Sequence, residues 1–138
     1  MMIYVNGQEI ASLTLGTLEA DNWLQPPQAY AYRPEQYLKG LEEFLRQVKL
    51  KASDIDGFVL VQGPGSATAL RTSHALVNTL AFALGVQIIS IQKSISEPDA
   101  GITTQLKAHE PRAFALPVYA REPNITQTKR DPLKRKIN

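Results

Sequence analysis

The feature that most constrains the fold is an uninterrupted apolar run that ends in a glycine-rich turn. The run is Phe58-Val59-Leu60-Val61, and the turn Gln62-Gly63-Pro64-Gly65-Ser66 follows it directly. A short run without polar positions predicts a central strand that is buried on both faces. Because glycine and proline interrupt regular structure, the turn predicts that a new element begins just after Ser66.

A long helix is predicted beyond this turn, from about Ala67 to Leu84. Ser66 belongs to the residue types that cap helix N-termini, and Gly85 suits the left-handed position that ends a helix. Small side chains along the helix would let a neighbouring helix approach closely. Val86 to Ile91 is apolar again and predicts the next strand.

The N-terminal part of the chain predicts a β-hairpin. Asn6-Gly7 lies between two runs of strand-forming residues, Ile3–Val5 and Ile10–Leu15. Asn-Gly favours a tight two-residue turn, because both positions tolerate a positive φ. Residues 16–32, which include Pro26-Pro27, are expected to form an irregular loop.

A first helix is predicted from Pro34 to Leu50, since proline suits the first helical position. Its apolar residues recur every three to four positions and cover about half of the helix circumference. One sheet needs only one apolar stripe, so a second apolar contact is expected. The alternation of strands and helices predicts an α/β layer structure. The apolar positions of this helix are Tyr37, Leu38, Leu41, Phe44, Leu45 and Val48.

Composition excludes several classes of site. The chain has 138 residues and no cysteine, so it has no disulfide, thiolate zinc site, iron–sulfur cluster or cysteine nucleophile. With 2 histidines it has little material for a histidine metal site or a catalytic triad. No apolar run approaches the ~18 residues of a membrane span. We expect a cytoplasmic protein without cofactor or metal.

The chain divides into four regions. Residues 1–91 are expected to form the core α/β domain, residues 92–112 a linker and residues 113–123 an extended C-terminal segment. Residues 124–138 form a basic tail, which is either a solvated, mobile terminus or an arm that contacts nucleic-acid phosphates.

The glycine-rich turn is the first candidate for chemistry. A loop that runs into a helix N-terminus can hold an anion, which makes Gly63, Gly65 and Ser66 weak cofactor-binding candidates. The turn lacks the third glycine of a dinucleotide-binding loop and the lysine of a P-loop. The alternative is a purely structural tight turn. Residue types alone favour a protein that is not an enzyme.

The segment from Asp54 to Arg71, with the sequence DIDGFVLVQGPGSATALR, resembles the glycine-loop motif of the TsaB (YeaZ) family. LAFALGVQIISI, which ends at Ile91, and ALPVYAREP, which begins at Ala115, resemble two further family segments. The resemblance implies an actin/sugar-kinase (ribonuclease H-like) fold, with a mixed sheet and two long helices, truncated relative to the family. Its structural motif residues here are Gly63, Pro64, Gly65, Ser66, Leu70 and Arg71.

The resemblance also implies a role. TsaB-like proteins are non-catalytic scaffold or activator subunits that bind TsaD, which works with the ATPase TsaE. Together they transfer a threonylcarbamoyl group to the adenosine beside the tRNA anticodon. A homodimer is expected in isolation, and the alternatives are a freestanding homodimeric paralogue or a nucleotide-binding enzyme. The expected interface residues are Tyr37, Leu41, Phe44, Leu45, Leu70, His74 and Leu76.

Two departures from the family pattern are expected. Family members open with a strand that carries an Asp-Thr-Ser turn, whereas the first residues here are interpreted as matching the second and third family strands. The second family subdomain is expected to be replaced by residues 92–112.

Overall fold

The computed structural model describes residues 1–118. The strands are β1 (Met2–Asn6), β2 (Leu13–Glu19), β3 (Asn22–Tyr30), β4 (Gly57–Gly63) and β5 (Gln87–Gln92). The α-helices are α1 (Tyr37–Gln47) and α2 (Ala67–Leu84). Short 3-10 helices span Pro34–Gln36, Ala52–Asp54, Asp99–Thr104 and Leu106–Ala108.

The strands form one five-stranded sheet in the order β3-β2-β1-β4-β5. Strand β1 is central, since it pairs antiparallel with β2 and parallel with β4. Val5 lies opposite both Leu15 and Leu60. Strand β5 adds to β4 in parallel, so the mixed sheet expected from the sequence is confirmed.

Side chains alternate between the two faces of the sheet, and both faces are covered. On one face, Ile3 and Val5 join Leu60 in a core that the two α-helices close. On the other face, Tyr4 belongs to a second core. The apolar run in β4 contributes to both, and Phe58, Val59, Leu60 and Val61 are each 0% exposed, as predicted.

The N-terminal hairpin is confirmed, but its predicted tight turn is wrong. Asn6 pairs with Thr14 inside the ladder, and residues 7–12 connect the two strands. Ile10 is 39% exposed and lies outside β2. The side chain of Asn6 accepts a hydrogen bond from the Gln8 N–H at 2.9 Å, and this bond turns the chain away from a two-residue connection.

The irregular loop expected for residues 16–32 is also wrong, because β2 continues to Glu19 and β3 follows. The two strands are joined by Ala20 and Asp21, whose φ values are 52° and 65°. This is the primed type of turn that the sequence analysis assigned to Asn6-Gly7. Pro26-Pro27 is tolerated because β3 is an edge strand, where missing N–H donors break no central ladder.

The helices agree with the predictions to within one turn. Helix α2 has the predicted bounds, and Gly85 ends it with a φ of 69°. The first predicted helix is a 3-10 turn at Pro34–Gln36 followed by α1, which ends at Gln47. Lys49, with a φ of 61°, already lies beyond it.

Residues 92–112 contain the last two 3-10 helices, and Ile102 and Leu106 from these helices are buried in the second core. This segment therefore covers the sheet as well as connecting elements. Residues 112–118, which we name the strap, then pass between the β5 edge and α2. The remainder of the predicted segment 113–123 and the basic tail 124–138 lie outside the described residues.

Candidate functional site

The glycine-rich turn is held tightly by two other segments. Gly63 has a φ of 137°, which residues with a side chain rarely adopt, and a Cβ atom there would collide with the Val118 carbonyl oxygen. A Cβ atom on Gly65 would lie 2.5 Å from the carbonyl oxygen of Gln8. The close approach of neighbouring backbone therefore explains why glycine occupies both positions.

The start of α2 is capped from within the chain. The N–H of Ser66 donates to the Gln8 carbonyl oxygen at 2.8 Å, and the Ser66 Oγ accepts from the Ala69 N–H at 3.3 Å. An anion at this helix end would meet the partial negative charge of the Gln8 carbonyl. For Gly63, Gly65 and Ser66, the geometry thus favours a structural turn over a phosphate cradle.

A group of polar side chains lies beside this turn, at the end of β1. We call Tyr4, Asn6, Gln8, Lys93 and Asp99 the polar corner. Tyr4 Oη and Asn6 Nδ2 both donate to Asp99 Oδ1, at 2.5 and 2.6 Å. Burial, together with the hydrogen bond to Asp99, raises the pKa of Tyr4 above its usual range. Tyr4 therefore stays protonated and acts as a donor.

The rest of the polar corner is bonded mainly to backbone. Gln8 Nε2 donates to the carbonyl oxygens of Pro64 and Lys93, at 2.8 and 2.7 Å. The ammonium of Lys93, a residue only 4% exposed, donates to the carbonyl oxygens of Ser94 and Glu97. Gln8 Oε1 has no hydrogen-bond partner among residues 1–118. The cavity beside these groups measures about 160 Å³, which is smaller than the roughly 300–1,000 Å³ of natural ligand sites.

The polar corner is formed at the end of the central strand of the sheet. Strand β1 lies between β2 and β4, and Asn6-Gly7-Gln8 at its end contains two amide side chains and no carboxylate. The expected match of the first residues to the second and third family strands stays a prediction.

Most of the predicted interface residues belong to the core of this chain. Leu45 and Leu76 are half-buried and pack against the core on the helix side of the sheet. The other five are at most 4% exposed, so a partner cannot reach them in this conformation. Their assignment to the interface is wrong, because the sheet itself covers the stripe. These five residues are Tyr37, Leu41, Phe44, Leu70 and His74.

His74 is a buried helical histidine. Its Nδ1 lies 2.8 Å from the carbonyl oxygen of Leu70, which can only accept, so the proton is on Nδ1. Nε2 has no partner among the described residues. Burial lowers the pKa of His74, and the hydrogen bond to Leu70 opposes this only in part.

One surface that remains available on the helices is the outer face of α2, which we define by six of the exposed residues of this helix. Phe82 is 88% exposed, and Arg71 provides the one formal charge in this set. Ordinary surface helices carry charged residues on the solvent side, so this face is unusual. Phe82 was not among the residues predicted from the sequence, although its spacing of seven from Ala75 places both on one side of the helix. The outer face comprises Thr68, Arg71, Ala75, Thr79, Phe82 and Ala83.

Residues 1–118 lack two features, a membrane-spanning helix and a cluster of metal-ligating side chains. None of the helices there is long and apolar enough to cross a membrane. Within the same range, no group of three or more His, Asp or Glu side chains is placed to hold a metal ion.

The sheet order and the two helices on one face define the class: this is an actin-like, ribonuclease H-like domain. YeaZ from Pseudomonas aeruginosa has the same fold, with a TM-score of 0.57 and 18% identity over 66% of this chain and 43% of that chain. A second structure, of an uncharacterized protein with similarity to peptidase YEAZ from Pseudomonas aeruginosa, also gives 0.57 and 18%, over 66% of this chain and 42% of the other. The predicted likeness to YeaZ is confirmed in the fold.

The model of the family described as TsaD: tRNA N6-adenosine threonylcarbamoyltransferase matches residues 24–128, and the chain belongs to this family. A curated relative from Methanosarcina barkeri is a "Probable bifunctional tRNA threonylcarbamoyladenosine biosynthesis protein". It is 29% identical over 82 residues, which is 57% of this chain. The chain spans 15% of the length of that relative and less than half of the YeaZ chain.

Proposed function

We propose that this chain is a non-catalytic subunit that binds a TsaD-type protein during threonylcarbamoyladenosine synthesis on tRNA. Its family and the name of its Methanosarcina relative support the process. The observation that carries the proposed role is the outer face of α2, an almost uncharged surface on a regular 18-residue helix. Work on tRNA is consistent with a cytoplasmic location.

The outer face of α2 has the composition of a helix-packing surface. Phe82 gives one large aromatic contact, which is a residue type enriched at interfaces. Ala75 and Thr79 are small and exposed, so the backbone of a partner helix can approach closely beside Phe82. Leu38 of α1, 53% exposed, adds apolar area on the neighbouring helix.

The proposed lack of catalysis rests on the polar corner. Asn6 carries an amide and not a carboxylate at the end of the central strand, and this amide is bonded to Asp99. The Gln8 carbonyl occupies the helix end at which an anion would bind. These contacts hold the turn together and leave little room for a nucleotide, which favours a partner subunit over the nucleotide-binding alternative.

The test is co-expression with the TsaD-type protein of the same genome. We expect the two proteins to co-elute, and Phe82→Glu or Ala75→Arg to weaken the complex at least about tenfold by burying a charge at the contact. Lys39→Glu, exposed on α1, is the matched control for a change of surface charge. Circular dichroism would show that each variant is folded.

Absence of co-elution for the unaltered chain would overturn the proposal. If the chain sediments as a dimer that Phe82→Glu dissociates, and TsaD does not bind, the freestanding homodimer is the correct function. Saturable ATP binding that is lost in Gly65→Asp would favour the nucleotide-binding alternative. Contacts with a TsaE-type ATPase and with tRNA through residues 124–138 stay predictions, and that tail lies outside the described residues.

A further inference from the structure

A second surface, which shares no residue with the outer face of α2, lies at the free edge of β5. A cavity of about 930 Å³ opens there, between β5 and residues 108–116. Its floor contains Ser90 of β5 and Gln62 of β4. Its size is within the range of natural ligand sites, roughly 300–1,000 Å³.

The β5 edge is already used for strand pairing at one point. The N–H of Ile88 donates to the Arg112 carbonyl oxygen and the N–H of Arg112 to the Ile88 carbonyl oxygen, both at 2.7 Å. This antiparallel bridge shows that the backbone groups of Ile88 point away from β4. Because backbone direction in a strand repeats every two residues, the N–H and C=O of Ser90 point the same way.

Within residues 1–118, this pairing does not continue beyond the bridge between Ile88 and Arg112. In the antiparallel register set by Ile88 and Arg112, Glu110 is the residue opposite Ser90. No backbone hydrogen bond joins Glu110 to Ser90 in the described part of the chain, and both residues line the cavity. Ser90 therefore presents one backbone donor and one backbone acceptor to the empty space.

The walls of the cavity combine apolar side chains with polar ones, and their two formal charges are of opposite sign. Phe114 and Leu116 are 62% and 64% exposed, whereas Ala115 between them is 4% exposed, so alternate strap residues point away from the core. Glu110 and Arg112 lie 3.6 Å apart and offset each other. The offset charges suit an uncharged ligand, and the side formed by Phe114 and Leu116 suits apolar side chains that recur at every second position.

We propose that this cavity binds an extended, uncharged peptide segment of a partner protein as an additional antiparallel strand on β5. The peptide backbone exchanges hydrogen bonds with Ser90, and its apolar side chains contact Phe114 and Leu116. This is strand addition at a sheet edge, in which backbone bonds give affinity and alternate side chains give specificity. The site is separate from the outer face of α2, so it is independent of the proposed function.

The probe is an acetylated and amidated hexapeptide of alternating valine and threonine, titrated into the full chain labelled with ¹⁵N. We expect saturable binding, with hydrogen exchange of the Ser90 amide slowed at least about tenfold, because that amide gains a partner. Two N-methylated peptides test the mode of binding. Methylation of the amides on the peptide edge that faces β5 should abolish binding. Methylation of the amides on the opposite edge should leave binding unchanged.

Two variants separate this site from the proposed function. Phe114→Glu should weaken peptide binding at least about tenfold and leave co-elution with the TsaD-type protein unchanged. Phe82→Glu should do the reverse, and both residues are exposed, so neither change threatens the fold. The proposal is overturned if the peptide does not bind at millimolar concentration. It is equally overturned if methylation of either edge has no effect, or if Ser90 exchange is unchanged when the peptide binds.

Discussion

Asn78 and Ala115 exchange two hydrogen bonds that fasten the strap to α2. Asn78 Nδ2 donates to the Ala115 carbonyl oxygen at 2.9 Å, and the Ala115 N–H donates to Asn78 Oδ1 at 2.8 Å. A further contact, from the Val118 N–H to the Gln62 carbonyl oxygen at 2.7 Å, holds the far end of the strap. The strap is therefore attached to the helix through the side-chain amide of Asn78 and to the sheet through backbone hydrogen bonds.

Replacement of Asn78 by alanine removes both bonds and leaves the backbone of the buried Ala115 without partners. We expect Asn78→Ala to lower the free energy of unfolding by about 1–3 kcal/mol. Thr79→Ala, exposed on the next position of the same helix, is the control and should change it by less than about 0.5 kcal/mol. Urea titrations of the unaltered protein and of the two variants measure this difference. Equal stabilities would contradict a stabilising role for the two hydrogen bonds between Asn78 and Ala115, which we call the clamp.

Gly63 should be the least replaceable glycine of the turn. Gly63→Ala combines a φ of 137° with a collision at Val118, so we expect a loss of about 3 kcal/mol or more. Gly101→Ala is the matched control, because a Cβ atom there meets nothing within 4 Å. Thermal unfolding of both variants checks the contrast, and a tolerated Gly63→Ala would show that the strap does not lie against the turn.

Local patterns were sufficient for the centre of the fold. The apolar run of β4, the cap Ser66 and the terminator Gly85 each act within a few residues, and the structure has each of them as predicted. The hairpin turn was missed because its central residues, Ala20 and Asp21, are not typical of a primed turn. There the pairing of β2 with β3 dictates the backbone, and tertiary contacts override local preference.

The candidate site was harder to predict, because periodicity identifies a buried stripe but not what buries it. Tyr37, Leu41 and Phe44 were expected to face a partner and instead face the sheet of their own chain. The surface that does remain free contains Phe82, whose exposure depends on where the helix is docked. The clamp between Asn78 and Ala115 joins residues 37 positions apart, and no local signal encodes such a contact.

The stability of the protein should depend on pH through His74. Burial places the pKa of folded His74 below the 6.5 that is expected of an exposed histidine, so the unfolded chain binds the proton more readily. Stability is then full above about pH 6.5 and falls as the pH drops toward the lowered pKa, by at most about 1.4 kcal/mol per pH unit.

Unfolding in urea between pH 7.5 and 5.5 measures this slope. In His74→Gln the slope attributable to the histidine should disappear, whereas His109→Gln, which alters the other histidine of the chain, should retain it. If the free energy of unfolding of His74→Gln still falls with decreasing pH as it does in the unaltered protein, the pH dependence comes from other groups.

The polar corner should behave as one coupled unit around Asp99. Asp99→Ala leaves the Tyr4 hydroxyl and the Asn6 amide without their shared acceptor, so we expect a loss of about 2–4 kcal/mol in the free energy of unfolding. Tyr4→Phe removes only one donor and keeps the Asn6 bond, so we expect a loss of about 1–2 kcal/mol. Because Tyr4 is fully buried, its ring still fills the same space in the variant.

The double variant decides whether the two residues act through their hydrogen bond. In the Tyr4→Phe background, Asp99→Ala leaves only the Asn6 amide without an acceptor, because the tyrosine hydroxyl is already absent. We therefore expect a coupling free energy of about 1–2 kcal/mol between the two changes. Asp54→Ala is the control for loss of a carboxylate, since the Asp54 carboxylate accepts from the exposed Lys51 N–H and should not couple to Tyr4. Strictly additive losses for Tyr4 and Asp99 would mean that the corner is not held by this bond. In that case, only the contacts of Gln8 and of the glycine-rich turn would support a closed, non-catalytic polar corner.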